Sequence, residues 1–318
     1  MPHNNIVEKP YIGADISKQT IDFFNSQTGE YNTISNDKSA LKRFFKVLKD
    51  PAIVVFEATG GYERKLSTLL EAYPHLERLR VHPACVKSFA RALGSKAKTD
   101  KIDAYMLAVA AQTMKDTFID TTPPQNIQAI RDLFSYQKQL ESTLHAEKCR
   151  LKMEDLPNIV LKEIKSHCIF LEKHIEKIKQ EILKLVHEDE ALLQKYKRLQ
   201  GVSGVGSVIA LSVIAFLPEL GHVDRKQVAS LAGLAPHTRQ SGMKTGRAFT
   251  QGGRKELRKA LYMGALVGMR HNVVLKAFYH RLVDNGRPKM VALIATSRKL
   301  LIHLNAIEKK FSSIPSRQ

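Results

Sequence analysis

The run Ala52-Ile53-Val54-Val55-Phe56 constrains this chain more than any other stretch. Five successive apolar residues ending on a carboxylate, Glu57, read as a short central strand buried on both faces. Such a strand needs neighbours on each side and helices above and below it. The flanking pattern supplies them. Tyr11 to about Ser17, Ile21–Asn25 and Tyr31–Ser35 read as three earlier strands. Asn36-Asp37 caps a helix from Lys38 to Leu48, with Leu41, Phe44, Phe45 and Leu48 at helical spacing, and Asp50-Pro51 closes it. Thr59-Gly60-Gly61 is a turn before a helix from Tyr62 to about Ala72. Arg78–Val81 is a further strand, Pro83 opens a helix, and another runs from near Thr99 through Met114. The expectation is a mixed α/β sheet with helices on its faces.

Thr121-Thr122-Pro123-Pro124 marks a break. Beyond it, Gln128 to about Val186 is polar, free of glycine and mostly helical, with an interruption near Leu156-Pro157. Leu133, Leu140, Leu144, Ile164, Leu171, Ile175, Ile178, Ile182 and Leu185 recur at three-, four- and seven-residue steps. This spacing fits a helical hairpin or coiled coil, and equally an ordinary amphipathic bundle, because the heptads are not sustained. From Arg198 glycines cluster and basic residues crowd in, as in a separate, mainly helical domain. The expected domains are 1–122, an α/β catalytic unit; 123–196, an α-helical, coiled-coil-like segment; and 197–318, a mainly α C-terminal domain.

Charge narrows the partner. Lys and Arg outnumber Asp and Glu by 50 to 31, a formal charge of +19. From Gly221 to Gln318 there are 19 basic residues against 4 acidic ones, so +15 of the +19 lies in under a third of the chain. Repulsion on that scale calls for a polyanion, a nucleic acid or an anionic membrane surface. No apolar run of about 18 residues stands out, and no membrane span is expected. Met1-Pro2-His3-Asn4-Asn5 has no basic region leading into an apolar one, so no secretory signal is expected either. Nucleic acid is therefore the better partner. Cys85, Cys149 and Cys168 are scattered, with neither a disulfide framework nor zinc spacing, and read as reduced thiols of a cytosolic protein.

Four carboxylates stand out by position. Asp15 lies inside the first strand, Glu57 directly follows the apolar strand, and Asp100 and Asp103 are three apart near the start of a helix. A carboxylate in or at the tip of a buried strand is costly unless compensated, and an i, i+3 acidic pair repels. A divalent cation, Mg²⁺ or Mn²⁺, compensates both, and oxygen ligands suit it. Two such ions can activate a nucleophile and stabilise a leaving oxygen in phosphoryl transfer. Each acid also has a plainer role: Asp100 can cap its helix, Asp103 can sit in the favourable first turn, and Glu57 can merely end its strand. The joint pattern favours the metal.

The strand and helix order matches that of the RNase H-like fold, and Asp15, Glu57, Asp100 and Asp103 resemble the DEDD site of RuvC-like nucleases. More narrowly, Gly13-Ala14-Asp15-Ile16-Ser17-Lys18, Glu57-Ala58-Thr59-Gly60-Gly61-Tyr62 and Lys98-Thr99-Asp100-Lys101-Ile102-Asp103-Ala104 look like the DEDD transposases related to the Piv invertases. The resemblance implies that the four acids bind Mg²⁺. Lys96, Lys98 and Lys101 flank the site and can hold phosphate, although lysines near a helix start are commonly just solvated.

Leu199-Gln200-Gly201-Val202-Ser203-Gly204-Val205-Gly206-Ser207 joins two apolar helical stretches and resembles a helix-hairpin-helix. Such a turn aims backbone N–H groups, here at Gly204 and Gly206, at a DNA phosphate. A tight packing turn uses glycines too. Next, Pro236 to Gly253 forms a basic, glycine-rich loop before a helix near Arg254. Leu199 to about Asn272 closely resembles the C-terminal domain of the same transposases. There the serine before a glycine, matched by Ser241-Gly242, is the nucleophile that forms a phosphoserine link to DNA. A hydroxyl needs activation. Mg²⁺ can supply it, while Arg239, Lys244, Arg247 and Arg254 can neutralise the phosphate, with Lys255 and Arg258 close by in sequence. A flexible DNA-binding loop with Ser241 a bystander is the alternative.

The resemblance spans Tyr11 to about Asn272 in family order. It implies a DNA transposase or site-specific recombinase acting on donor and target DNA, guided by a structured noncoding bridge RNA. It also implies a homo-oligomer, a dimer or tetramer, in a prokaryotic cytoplasm beside the nucleoid, and a composite site of acids and serine, in one subunit or across two. Rivals are a Holliday-junction nuclease using metal-activated water, an inactive nucleic-acid-binding protein, and an actin-like sugar or acetate kinase. The last lacks a second glycine-rich nucleotide loop and has no use for the basic C-terminal part.

Overall fold

Alternation along the first strands sorts their side chains onto two faces, and that sorting builds the N-terminal unit. In the computed structural model, residues 9–58, 60–81, 83–94, 100–114, 124–237, 240–241, 244–245 and 249–312 are described. The chain divides into two units, Met1–Thr122 and Pro123–Gln318.

In the first, β1 (Tyr11–Ile16), β2 (Thr20–Asn25), β3 (Tyr31–Ser35), β4 (Ala52–Glu57) and β5 (Leu76–Val81) form one sheet in the order β3-β2-β1-β4-β5. β1, β2 and β3 meander antiparallel, whereas β1, β4 and β5 run parallel. The apolar strand is thus interior to the sheet, as its composition predicts. One face packs Ile12, Ala14, Ile16, Ile21, Phe23, Val54 and Phe56 against Leu41 and Phe45 of α1 (Lys38–Val47) and Leu66 and Leu70 of α2 (Arg64–Leu70). The Asp37 carboxylate caps α1 through the Ser39 and Ala40 N–H groups. The other face packs Tyr11, Phe24, Val55 and Val81 against α3 (Pro83–Ala92) and α4 (Asp100–Thr113), through Val86, Ala104, Leu107, Ala108 and Ala111. Observed and expected element orders agree.

The second unit is helical. α5 (Gln125–Arg150) and α6 (Asn158–Glu188) form an antiparallel hairpin, bridged by Lys148–Glu172 at 2.7 Å and by Asn126–Asp189 at 2.6 Å. α7 (Glu190–Gln200), α8 (Ser207–Phe216), α9 (Arg225–Leu231), α10 (Lys255–His271), α11 (Val273–Asp284) and α12 (Lys289–Ser312) complete it. One core joins Ile130, Phe134, Ile182 and Val186 of the hairpin to Leu199, Ile214, Leu261 and Leu300. Residues 123–196, read in sequence as a segment of their own, therefore share their core with 197–318.

The expectation of no membrane-length apolar stretch needs correcting for α12, which is long and apolar enough by length and composition to cross a membrane. Its apolar side is spent inside the unit: Ala292, Leu293, Leu300, Leu301 and Leu304 are buried, and α12 packs on α7, α9, α10 and α11. Between α9 and α10, β6 (Pro236–His237) pairs with β9 (Phe249–Thr250), and β7 (Gln240–Ser241) with β8 (Lys244–Thr245). The stretch read as a loop thus carries two short ladders.

Candidate active site and nucleic-acid face

The parallel register aligns the first two acids. Tyr11 pairs with Ile53, Gly13 with Val55 and Ala14 with Phe56, so Asp15 and Glu57 stand side by side one step past the last paired residues. Alternation puts Tyr11, Gly13 and Asp15 on the α4 face, together with Val55 and Glu57.

Helix α4 reaches that face because position 13 has no side chain. A Cβ there would lie 1.9 Å from the Ala104 carbonyl oxygen and 2.8 Å from the Ala108 nitrogen. Backbone meets backbone, and the first turn of α4, carrying Asp100 and Asp103, is delivered to the strand ends. The Asp15 carboxyl registers the result. Burial, then the charges of Asp103, Asp100, Glu57 and Asp22 in that order, push its pKa from 3.8 to about 6. The other three acids singled out in the sequence thus all act on the Asp15 carboxyl.

Asp22 is a fifth acid that the sequence reading missed. It lies directly across from Asp15 in the antiparallel ladder and accepts a hydrogen bond from the Thr33 hydroxyl. A signal existed: Thr20-Ile21-Asp22-Phe23-Phe24 sets an acid inside an otherwise apolar strand.

As a donor set, the carboxylates suit a hard divalent cation. The cage itself is not closed, since among the described residues no three His, Cys, Asp or Glu side chains gather tightly enough to enclose an ion. Burial first, and repulsion among the carboxylates second, raise the Asp15 pKa. Lys96 and Lys98 lie outside the described residues. Lys101 is exposed, its ammonium 5.9 Å from the centre of the Tyr31 ring.

In the second unit, Ser241 sits in β7 opposite Lys244 of β8. Arg239 and Arg247 lie outside the described residues. Gly204, read as presenting its N–H to phosphate, also packs closely against α10. Its φ is +100°, and a Cβ would meet Gly268 Cα at 2.8 Å and the Gly264 oxygen at 3.0 Å on α10. Gly206 is exposed at the start of α8, with nothing within 4 Å of a Cβ built there.

Arg254, read as a phosphate ligand, makes internal contacts. Its guanidinium forks onto Glu219 at 2.5 and 2.6 Å and donates to the Phe216 carbonyl at 2.7 Å. Burial pushes the Glu219 carboxyl up, but the Arg254 hydrogen bond and charge outweigh it and hold the group below its ordinary value. Arg258 donates to the Gly252 carbonyl. Lys255, Arg258 and Lys259 line an open cavity of about 600 Å³, together with Tyr262, Met263 and Ile294. Lys259, which the sequence reading did not single out, follows Lys255 by one helical turn and joins this basic face.

Known proteins carry the same two blocks. A family model described as a transposase, of the IS110 DEDD type, matches residues 12–154, and one described as "Transposase IS116/IS110/IS902 family" matches residues 196–280. Proteins called "Pilin gene-inverting protein" from Moraxella lacunata and Moraxella bovis are each 27% identical to the chain over 307 residues, 93% of this chain and 94% of theirs. Both blocks occur in order, the four acids fall in the first and Ser241 in the second, and the chain carries the IS110-type transposase domains of enzymes that cut DNA by phosphoryl transfer.

Proposed function

We propose that this transposase cuts and rejoins donor and target DNA with Ser241 as nucleophile and with a divalent metal held by Asp15, Glu57, Asp100 and Asp103. The carrying observation is the Asp15 carboxyl, pushed up to about 6 by burial and by the negative field of the other acids. A folded site that sets one buried carboxyl in the field of several others suits a cation. Bound Mg²⁺ or Mn²⁺ supplies a Lewis acid for the scissile phosphate and eases ionisation of a hydroxyl.

The Ser241 hydroxyl gives up its proton, its oxygen bonds to phosphorus, and a sugar oxygen leaves. Attack on that phosphoserine by a second sugar hydroxyl releases the serine and rejoins the strand. This scheme needs Ser241 and the acids to act on one phosphate, from one chain or from two copies. Lys101, Lys244, Lys255, Arg258 and Lys259 contribute positive charge for DNA, and Lys98, Arg239, Arg247 and Gly206 complete the proposed contacts. The net +19 also suits a structured guide RNA, and the reading includes one, with a dimer or tetramer as the working form.

The test incubates the protein with end-labelled DNA, Mg²⁺ and co-expressed element RNA, then separates covalent protein–DNA adducts on denaturing gels. Adducts form with the wild type and vanish in Ser241→Ala and Asp15→Asn. Cleavage without an adduct in Ser241→Ala identifies metal-activated water as the nucleophile instead.

A further inference from the structure

We propose that Asn36 is a positioning residue that sets the separation of the strand ends carrying Asp15 and Glu57. The inference rests on the acidic site reading above. The parallel ladder between β1 and β4 ends at Ala14 and Phe56, so it does not itself pair Asp15 with Glu57. The next link is a side chain.

Asn36 follows β3 and is only 5% exposed, an unusual place for an amide. Its Nδ2 donates to the Ser17 carbonyl at 2.8 Å and to the Tyr62 carbonyl at 3.2 Å. Ser17 lies two residues past Asp15, and Tyr62 five past Glu57. The Asn36 main chain bonds as well: its N–H donates to the Gln19 carbonyl at 2.7 Å, and its own carbonyl accepts from Lys65 Nζ at 2.8 Å. The side chain therefore ties the exit of β1 to the exit of β4, and the backbone ties the start of β2 to α2.

The amide orientation is determined. Flipping it would set Oδ1 against two carbonyl oxygens and lose both bonds. As oriented, Oδ1 is buried without a hydrogen-bond partner. A residue filling space alone has no need of an orphaned acceptor, and an apolar side chain of this size would avoid it. The bridging function of Nδ2 explains why the amide is retained.

Asn36→Leu keeps the volume and removes the donors, and Asn36→Ser keeps one donor on a shorter arm. Asn305 is the control: equally buried, it braces a loop in the other unit by accepting from the Gly221 N–H at 2.8 Å and donating to the Val223 carbonyl at 2.9 Å. Mn²⁺ binding to the full chain, followed by electron paramagnetic resonance, is measured beside the thermal unfolding midpoint and the Mg²⁺ dependence of DNA cleavage.

A misplaced ligand pair weakens Mn²⁺ binding at least tenfold in Asn36→Leu and by a smaller factor in Asn36→Ser. The Mg²⁺ needed for half-maximal cleavage rises in parallel, and saturating Mg²⁺ restores much of the turnover. Asn305→Leu lowers the unfolding midpoint and leaves Mn²⁺ affinity unchanged. If both Asn36 variants lose stability but bind Mn²⁺ as the wild type does, Asn36 is only structural and the proposal is overturned. Should Asn36→Leu not fold, the Asn36→Ser comparison decides by itself. Asp15→Asn separates the two levels of inference. Loss of Mn²⁺ binding there with normal binding in the Asn36 variants defeats the Asn36 assignment alone, whereas normal binding in Asp15→Asn overturns the metal reading and this proposal with it.

Discussion

Adding one methyl group at Gly13 tests whether α4 is seated by backbone contact. In Gly13→Ala the new Cβ would stand 1.9 Å from the Ala104 carbonyl oxygen and 2.8 Å from the Ala108 nitrogen. Ordinary contact needs about 3.4 Å, so the helix must retreat by roughly 1.5 Å or tilt, and neither obstructing atom is a flexible side-chain end. Overpacking of this kind costs about 1–3 kcal/mol, equivalent to a fall of roughly 4–12 °C in the unfolding midpoint. The functional cost is larger than the stability cost. Asp100 and Asp103 ride on the displaced turn, and a misplacement of about 1 Å in a catalytic constellation lowers rates roughly 100-fold. Calorimetry with and without Mg²⁺, run beside strand cleavage, reads both effects. Gly201→Ala is the control, since its φ is −65° and the added Cβ would come no nearer than 3.4 Å to a neighbouring atom, and it changes little. A Gly13→Ala protein that melts and cleaves like the wild type would refute the close-approach argument.

The raised Asp15 pKa carries a sign that can be measured. The folded protein holds this proton more tightly than the unfolded chain, so the associated stability is full below about pH 4 and is lost as pH rises through about 6. Urea midpoints of the metal-free protein fall across that window, and Mg²⁺ at pH 7.5 raises them again. Asp15→Asn, which removes the repulsion, raises the metal-free midpoint at pH 7.5 and abolishes the Mg²⁺ response; an unchanged midpoint argues against the acidic cluster. Arg254→Met breaks a largely buried ion pair and costs about 2–3 kcal/mol in urea unfolding, with no change in the salt dependence of DNA binding. Lys255→Gln with Lys259→Gln does the reverse, lowering the slope of log affinity against log salt by about 2 while stability holds. Equal effects of the two changes on salt dependence would return Arg254 to the DNA face.

Local rules made much of the first unit legible. Period-two alternation, the Asp37 cap and the apolar run before Glu57 depend on neighbouring residues, and they placed Asp15 and Glu57 on strands and Asp100 and Asp103 on one helical turn. The same pattern left open what each polar group meets across space. Asp22 joins the acids because a hairpin sets it opposite Asp15. Arg254 meets Glu219, 35 residues earlier in the chain. Gly204 turns inward because Gly264 and Gly268 open a notch on α10. Asn36, read from sequence as part of a cap, becomes a bridge only when the exits of β1 and β4 arrive beside it. Periodicity and capping act over a few residues and can be read along the chain; charge pairing, desolvation and backbone approach act between remote segments, and only the folded packing decides them.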